Sequence, residues 1–221
     1  MSFESESFMK ALSVEIEALF SPNSLPADRM QKLAAFGTAL AETSQFINLT
    51  RILDPRDMAV RHFLDSCQLL QVLKNVSGPV CDIGTGGGIP GIPLAIFRRD
   101  LNVVMIDGTA KKIRFIQQCI QDLELKNASA LAERAEEHLR SHRYHALINR
   151  AAIKPPALLE ILAFTGPATE RIIFMEGASG KEKVKSLRGP ARRAGYTFDF
   201  AFPYRLPGLD NERYLICYKR R

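Results

Sequence analysis

The sequence predicts an α/β fold: a mostly parallel sheet that finishes in antiparallel strands, with a helical extension at its N-terminus. Three observations predict it. Up to residue 78 apolar residues recur at spacings of three and four. From residue 79 short apolar runs alternate with amphipathic stretches. The last two runs, 196–203 and 213–219, follow one another with no helix between them. The chain therefore divides into a helical region, 1–78, and a sheet-forming domain, 79–221, joined at Ser77-Gly78-Pro79.

In the first region Phe8, Leu12, Ile16, Leu19 and Phe20 make one helical stripe, and Met30, Leu33, Ala34, Phe36 and Leu40 a second. Ser21-Pro-Asn-Ser-Leu-Pro26 parts them, because proline and small polar residues disfavour continuing a helix. A polar turn around Asn48, Thr50 and Asp54-Pro55 leads into a third helix bearing Val60, Phe63, Leu64, Leu69 and Leu70. In the second region strands are expected over 79–83, 102–106, 128–131, 144–149 and 171–176, with helices over 91–99, 110–124, 135–141 and 155–164. Such alternation needs crossover connections, hence parallel strands with helices on both faces. Residues 205–212 suit a hairpin-like return between the final two strands.

Composition narrows the setting. Hydrophobic residues at 46% are ample for a core, yet no run approaches the ~20 residues that cross a bilayer. The acidic start, Met-Ser-Phe-Glu-Ser-Glu-Ser, lacks the apolar stretch of a signal peptide. Cys67, Cys81, Cys119 and Cys217 are scattered, with neither C-x-x-C nor metal-ligand spacing, so reduced core thiols and a cytoplasmic location are expected, with no bound metal. Charge is uneven. Residues 1–78 hold 7 Lys/Arg against 9 Asp/Glu, whereas 79–221 hold 23 against 15. The densest basic cluster is Lys181, Lys183, Lys185, Arg188, Arg192 and Arg193, and a second ends the chain at Lys219, Arg220 and Arg221. Clustered positive charge suits a polyanion such as RNA; a solvated surface is the plainer alternative.

The most specific stretch is Val80-Cys-Asp-Ile-Gly-Thr-Gly-Gly-Gly-Ile-Pro-Gly-Ile-Pro93, an apolar strand feeding glycines and then a helix. Glycine lets a ligand approach the backbone where a Cβ would stand. A dinucleotide fingerprint would need its third glycine at position 89, where Ile stands. The D-x-G-x-G-x-G pattern that is present resembles Rossmann-like methyltransferases that bind S-adenosylmethionine. Asp82 is then placed to attract the methionine ammonium, and Gly84 and Gly86 to pass close to the ligand. Asp107 ends the second strand 19 residues after Gly88, where a carboxylate can accept from both ribose hydroxyls; capping the next helix is its bland alternative.

Further motifs make the resemblance specific. Asn48-Leu-Thr50, Arg61-His62-Phe-Leu-Asp65-Ser66, the glycine turn through Pro93, Asp107 with Lys111 and Lys112, Arg134-Ala-Glu136-Glu137 and Asn149-Arg150-Ala151 occur in that order. From about residue 30 to the C-terminus the chain resembles the glucose-inhibited division protein B family, ribosomal RNA small subunit methyltransferase G. The resemblance implies a Rossmann-like S-adenosylmethionine-dependent methyltransferase fold and methyl transfer to N7 of a guanine in 16S ribosomal RNA, free or in a small-subunit assembly intermediate. It implies a monomer with no membrane association, cofactor contacts at Gly84, Ile89, Ala135 and Glu136, and Arg150 on the reaction side. Guanine N7 has a lone pair and no proton, so no catalytic acid or base is expected. Arg61 and His62 are candidates for the substrate pocket; an intrahelical Arg61–Asp65 pair with a satisfied histidine is the equal alternative. One departure stands out: the family usually has a Leu-Lys-Gly-like sequence after the fifth strand, where this chain has Met175-Glu176-Gly177. Lys181 or Lys183 is placed to substitute in binding substrate. A methyltransferase of another substrate, or a non-catalytic RNA-binding module, are the competing functions.

Overall fold

The computed structural model describes residues 5–17, 26–166 and 169–221. The sequence expectations at Leu19 and Phe20, at the Ser21–Leu25 separator and for the first four residues lie outside them. In chain order the N-terminal region holds α1 (Ser5–Glu17), α2 (Ala27–Ser44), α3 (Pro55–Met58), a π-helical turn (Ala59–Leu64), α4 (Asp65–Cys67) and α5 (Leu69–Val72). Then follow β1 (Val80–Ile83), α6 (Gly91–Phe97), β2 (Val103–Ile106), α7 (Ala110–Asp122), β3 (Ala128–Leu131), α8 (Ala135–Ser141), β4 (Tyr144–Arg150), α9 (Pro155–Thr165) and β5 (Thr169–Glu176). The chain closes with α10 (Gly180–Ser186), α11 (Arg188–Arg193), β6 (Tyr196–Tyr204) and β7 (Arg213–Arg220).

One seven-stranded sheet has the order β3-β2-β1-β4-β5-β7-β6. The first five strands are parallel; β7 runs antiparallel to β5 and to β6. Side chains alternate between two cores, as a period of two demands. Val80, Ala146, Ile148, Ile173, Met175, Leu215 and Cys217 face one; Cys81, Ile83, Leu147, Ile172, Phe174, Ile216 and Tyr218 face the other. Both faces are covered, which is why these strands read as continuous apolar runs.

The N-terminal helices belong to the first core. Phe8, Phe36 and Phe63 are fully buried there, with Phe63 edge-on to Phe8 at 5.3 Å and to Phe36 at 5.7 Å between ring centroids. Each such ring contributes on the order of 1.5–3 kcal/mol of apolar burial, enough to hold the helices against the sheet. The third N-terminal helix differs from the uniform α-helix expected. It starts at Asp54, whose Oδ1 accepts the Asp57 N–H at 2.9 Å, and then widens into the π turn. Arg61 Nε meets Asp57 at 3.1 Å, so the Arg61–Asp65 pair, one of the two readings of this segment, does not form. α10 and α11, over the basic cluster, were not expected; mixed charge with few apolar residues hides them from a periodicity argument. All four cysteines are free and buried, and burial pushes the Cys119 and Cys217 thiols up to about 12. No described helix is long and apolar enough to cross a membrane.

Candidate functional site

In a parallel sheet of this order the chain reverses direction beside β1 and β4, and ligands gather at the carboxyl ends of the strands there. Asp82 sits inside β1 with 1% of its surface exposed. Its Oδ2 accepts from Thr85 Oγ1 at 2.6 Å and from the Gly91 N–H at 2.9 Å, tying the start of the glycine turn to the start of α6. Gly91 is required for that approach: a Cβ there would lie 2.4 Å from Met105 Cγ. Gly84 is required too, with φ of +66° and a would-be Cβ 2.2 Å from that of Ala152.

Asp107 fixes the tip of the same turn. Its Oδ2 accepts from the Gly86 N–H at 3.1 Å, and its Oδ1 from the Thr109 N–H at 2.9 Å. The second bond closes a local turn ahead of α7, whose cap position is Thr109 and carries no side-chain cap, so Asp107 does not cap that helix; its carboxylate faces a cleft. Lys112 Nζ stands 3.7 Å away. The cleft has a volume of about 330 Å³ and is walled by Gly84, Gly86, Asp107, Ala135 and Glu136 among others. Ala135 and Glu136 open α8, where first-turn N–H groups lack an acceptor within the helix. Ala152 and Ile153 form the facing wall. Asn149 holds them there: its Nδ2 donates to the Ile153 carbonyl at 2.7 Å and its Oδ1 accepts the Ile153 N–H at 3.3 Å.

Five of the eight expected cofactor residues therefore meet at one cleft; Asp82, Ile89 and Arg150 are not in its wall. Asp82 lies beneath the turn. Ile89 is buried with the first core. Arg150, ending β4, turns to the N-terminal helices instead. Its Nε donates to Asp65 Oδ2 at 3.0 Å, and its Nη2 to the Arg61 carbonyl at 2.7 Å. Asp65, wholly buried, also accepts from Tyr204 Oη at 2.7 Å and Arg213 Nε at 2.9 Å. This cluster was missed in the sequence, since its members lie far apart along the chain.

On the other side of Arg150 a second cleft, of about 490 Å³, opens among Arg61, Gly177, Ala178, the 208–211 loop and Arg213. Arg61 thus lines an open cleft. His62 does not. It is buried, with Nε2 2.7 Å from Thr50 Oγ1 and Nδ1 3.3 Å from Arg150 Nη2. Burial and the adjacent guanidinium push its imidazole down to about 4, so it is neutral at pH 7. Lys183 is joined to the buried Glu176, and Lys181 is exposed; neither walls either cleft.

Burial pushes the Asp82 carboxyl up to about 6, against the lowering effect of its bonds from Thr85 and Gly91. Its contribution to stability is therefore full in acid and is lost as pH rises from the ordinary carboxylate range through about 6. His62 acts oppositely, costing stability as pH falls from about 6.5 towards 4. Asp82 Oδ1 has no hydrogen-bond partner despite full burial, so the turn carries an unanswered acceptor. Glu133, His138 and His142 also lie together, with potential ligand atoms within 4.8 Å of one another. The two imidazoles stack face to face at 4.1 Å and 3°, so their in-plane lone pairs cannot converge on one ion. His138 is instead engaged by Glu133 and by Tyr144.

Sheet order, glycine turn and paired carboxylates define a Rossmann-like α/β protein of the methyltransferase type. The chain belongs to the rRNA small subunit methyltransferase G family, whose model matches residues 29–207. A ribosomal RNA small subunit methyltransferase G from Xanthomonas axonopodis pv. citri (strain 306) is 33% identical over 95% of this chain and 95% of its own length. One from Lachnoclostridium phytofermentans is 33% identical, covering 87% of this chain and 81% of the relative. Among solved structures, magnesium protoporphyrin IX methyltransferase from Synechocystis PCC 6803, crystallised with bound SAM, matches with a TM-score of 0.61 at 15% identity, over 90% of this chain and 100% of that one. M. capricolum TrmK in complex with S-adenosyl-homocysteine matches with a TM-score of 0.54 at 17% identity, over 70% of this chain and 68% of that one. These two likenesses concern the fold alone.

Proposed function

We propose that this protein transfers a methyl group from S-adenosylmethionine to N7 of a guanine in 16S ribosomal RNA, acting as a cytoplasmic monomer on the RNA or on an assembling small subunit. The observation that carries the reading is the pair of clefts at one sheet edge, separated by the anchored Arg150. Family membership supports the choice of donor. The residues fit it: the Asp82 carboxylate beneath the turn, its Oδ1 unpartnered, attracts an ammonium through the turn without touching it, while Asp107 suits a ribose diol and the open first turn of α8 an adenine edge.

When bound, S-adenosylmethionine supplies a methyl group on a sulfonium, with a neutral thioether as leaving group. The rest falls to positioning. The second cleft holds the target base, with Arg61 and Arg213 steering phosphates; Asp210, in its wall, faces the cationic ring that N7 methylation creates. Guanine N7 needs no deprotonation, so aligning nucleophile and methyl carbon is the main task, and such alignment contributes up to about 7–11 kcal/mol in favourable cases. The region before residue 79 serves as a helical cap: its Asp65 fixes Arg150 at the end of β4 and Arg213 in the wall of the second cleft.

Mass mapping of 16S ribosomal RNA from cells with and without this protein tests the reading. A single N7-methylguanosine should disappear with the protein. An unchanged RNA, or a lost methyl group at another kind of atom, would refute it.

The Asp82 carboxyl at about 6 adds a pH dependence. Only its ionised form attracts an ammonium, so donor affinity should fall as pH drops below 6, reaching about tenfold weaker at pH 5 than at pH 7. Calorimetry in Asp82→Asn should give weaker binding with that pH limb gone.

A further inference from the structure

Two basic groups that lie apart in the sequence, within 181–193 and at 219–221, meet at the end of the sheet away from both clefts. Arg188 and Arg192 lie on α11 just before β6, and Arg221 follows β7. The Arg221 N–H donates to the Gly195 carbonyl at 3.0 Å, which pins the chain end beside the α11–β6 turn. Strand register fixes which end this is. Tyr196 pairs with Arg220 here, and the same two strands reach the reaction edge only at Tyr204 and Arg213. At ~3.3 Å per residue β7 separates the two ends by roughly 25 Å.

A cleft of about 400 Å³ lies between these elements, walled by Arg188, Arg192 and Arg221 with Tyr196, Thr197 and Phe198. No acidic residue is among its described wall. The three arginines are exposed, while Tyr196 is buried and donates its hydroxyl to the Thr169 carbonyl at 3.1 Å. Phe198 is held edge-on to Tyr218 at 5.9 Å. The floor is thus fixed and aromatic, and the rim is cationic. Carboxylates at this end face other partners: Asp199 meets Lys219 at 2.9 Å and Arg171 at 3.8 Å, and Glu170 meets His145 at 3.8 Å.

We propose that this cleft binds the phosphate backbone of RNA, as a second anchor distant from the reacting base. It rests on the RNA-directed reading above and adds a site to it. A guanidinium presents a planar fork that matches two phosphate oxygens, so three of them favour a polyanion over an isolated anion. Phosphate contacts orient a nucleic acid without reading its sequence. A ligand that occupies both ends of the sheet must be long, which a folded RNA satisfies and a small metabolite does not.

The test compares wild type with the triple variant Arg188→Ala, Arg192→Ala, Arg221→Ala, and with a control that removes three exposed cations of α7 and its following turn, Lys111→Ala, Arg114→Ala and Lys126→Ala. Binding to a protein-free 16S ribosomal RNA transcript is measured by filter retention across a salt series. The cleft variant should bind about tenfold or more weakly, with its log–log salt slope reduced by about 2–3. Its donor affinity by calorimetry should match wild type, and its loss should appear in KM for RNA and not in kcat. Affinity and slope equal to wild type would overturn the proposal, as would an equal loss in the control. Unchanged RNA binding with weakened binding to intact small subunits would also overturn it, pointing to an acidic protein surface. If wild type methylated no RNA, the functional reading itself would fail; a failed anchor alone leaves wild-type methylation intact.

Discussion

Replacing Asp65 with alanine should lower the stability of the folded chain by roughly 3–5 kcal/mol, the range for stripping one partner from a buried ion cluster. The carboxylate is fully buried and receives Arg150 at 3.0 Å, Arg213 at 2.9 and 3.2 Å, and the Tyr204 hydroxyl at 2.7 Å. Without it two guanidinium groups would share a half-buried space with no opposing charge. Asp65→Asn keeps the shape but turns an NH₂ towards donors, so it should lose less stability while still freeing the arginines. Denaturant midpoints give the first quantity. The second is read from methyl transfer at saturating donor: kcat should fall at least tenfold in Asp65→Asn, with donor affinity retained, because Arg150 and Arg213 lie outside the donor cleft wall. A loss of less than about 1 kcal/mol in Asp65→Ala, or an unchanged kcat in Asp65→Asn, would show that the cluster neither supports the fold nor sets the arginines.

The legibility of this chain follows the range of the interactions involved. β3 and α8 occupy the residues expected, 128–131 and 135–141. The glycine turn was legible because glycines set between an apolar strand and a helix make a local pattern, although the approaches they answer reach as far as Leu40 of α2 and Ala152 after β4. Gly84, Gly86 and Asp107 consequently fell into place at the cleft. Asp65 was not legible as a hub. Its partners are 85, 139 and 148 residues away, and the nearest basic residue at helical spacing, Arg61, looked like its mate. Asp65 is taken by the arginines of β4 and β7, and Arg61 pairs with Asp57 four residues before it. Glu176 was noted as a charge reversal, yet only folding could show that Lys183 of α10 neutralises it. The second cleft depends on the 208–211 loop returning beside Arg61, a contact with no sequence period to announce it.

Asp107→Ala should weaken binding of the methyl donor by about 10- to 100-fold, since hydrogen bonds to a charged acceptor contribute roughly 1.5–3 kcal/mol. Two effects are mixed in that number. Asp107 faces the cleft, and it also holds the Gly86 N–H at 3.1 Å, so its removal loosens the turn as well as removing ribose contacts. A probe lacking one hydroxyl separates them. Wild type should bind 2′-deoxy-S-adenosylhomocysteine about tenfold more weakly than S-adenosylhomocysteine, because the carboxylate loses a donor it is positioned to accept. Asp107→Ala should bind the two probes alike, having already lost the acceptor. If the variant still preferred the hydroxylated probe by the wild-type factor, the ribose would be read by another group. Asp107 would then matter only through the backbone of the glycine turn. The cycle therefore distinguishes a contact from a scaffold, which a single affinity on a single variant cannot do.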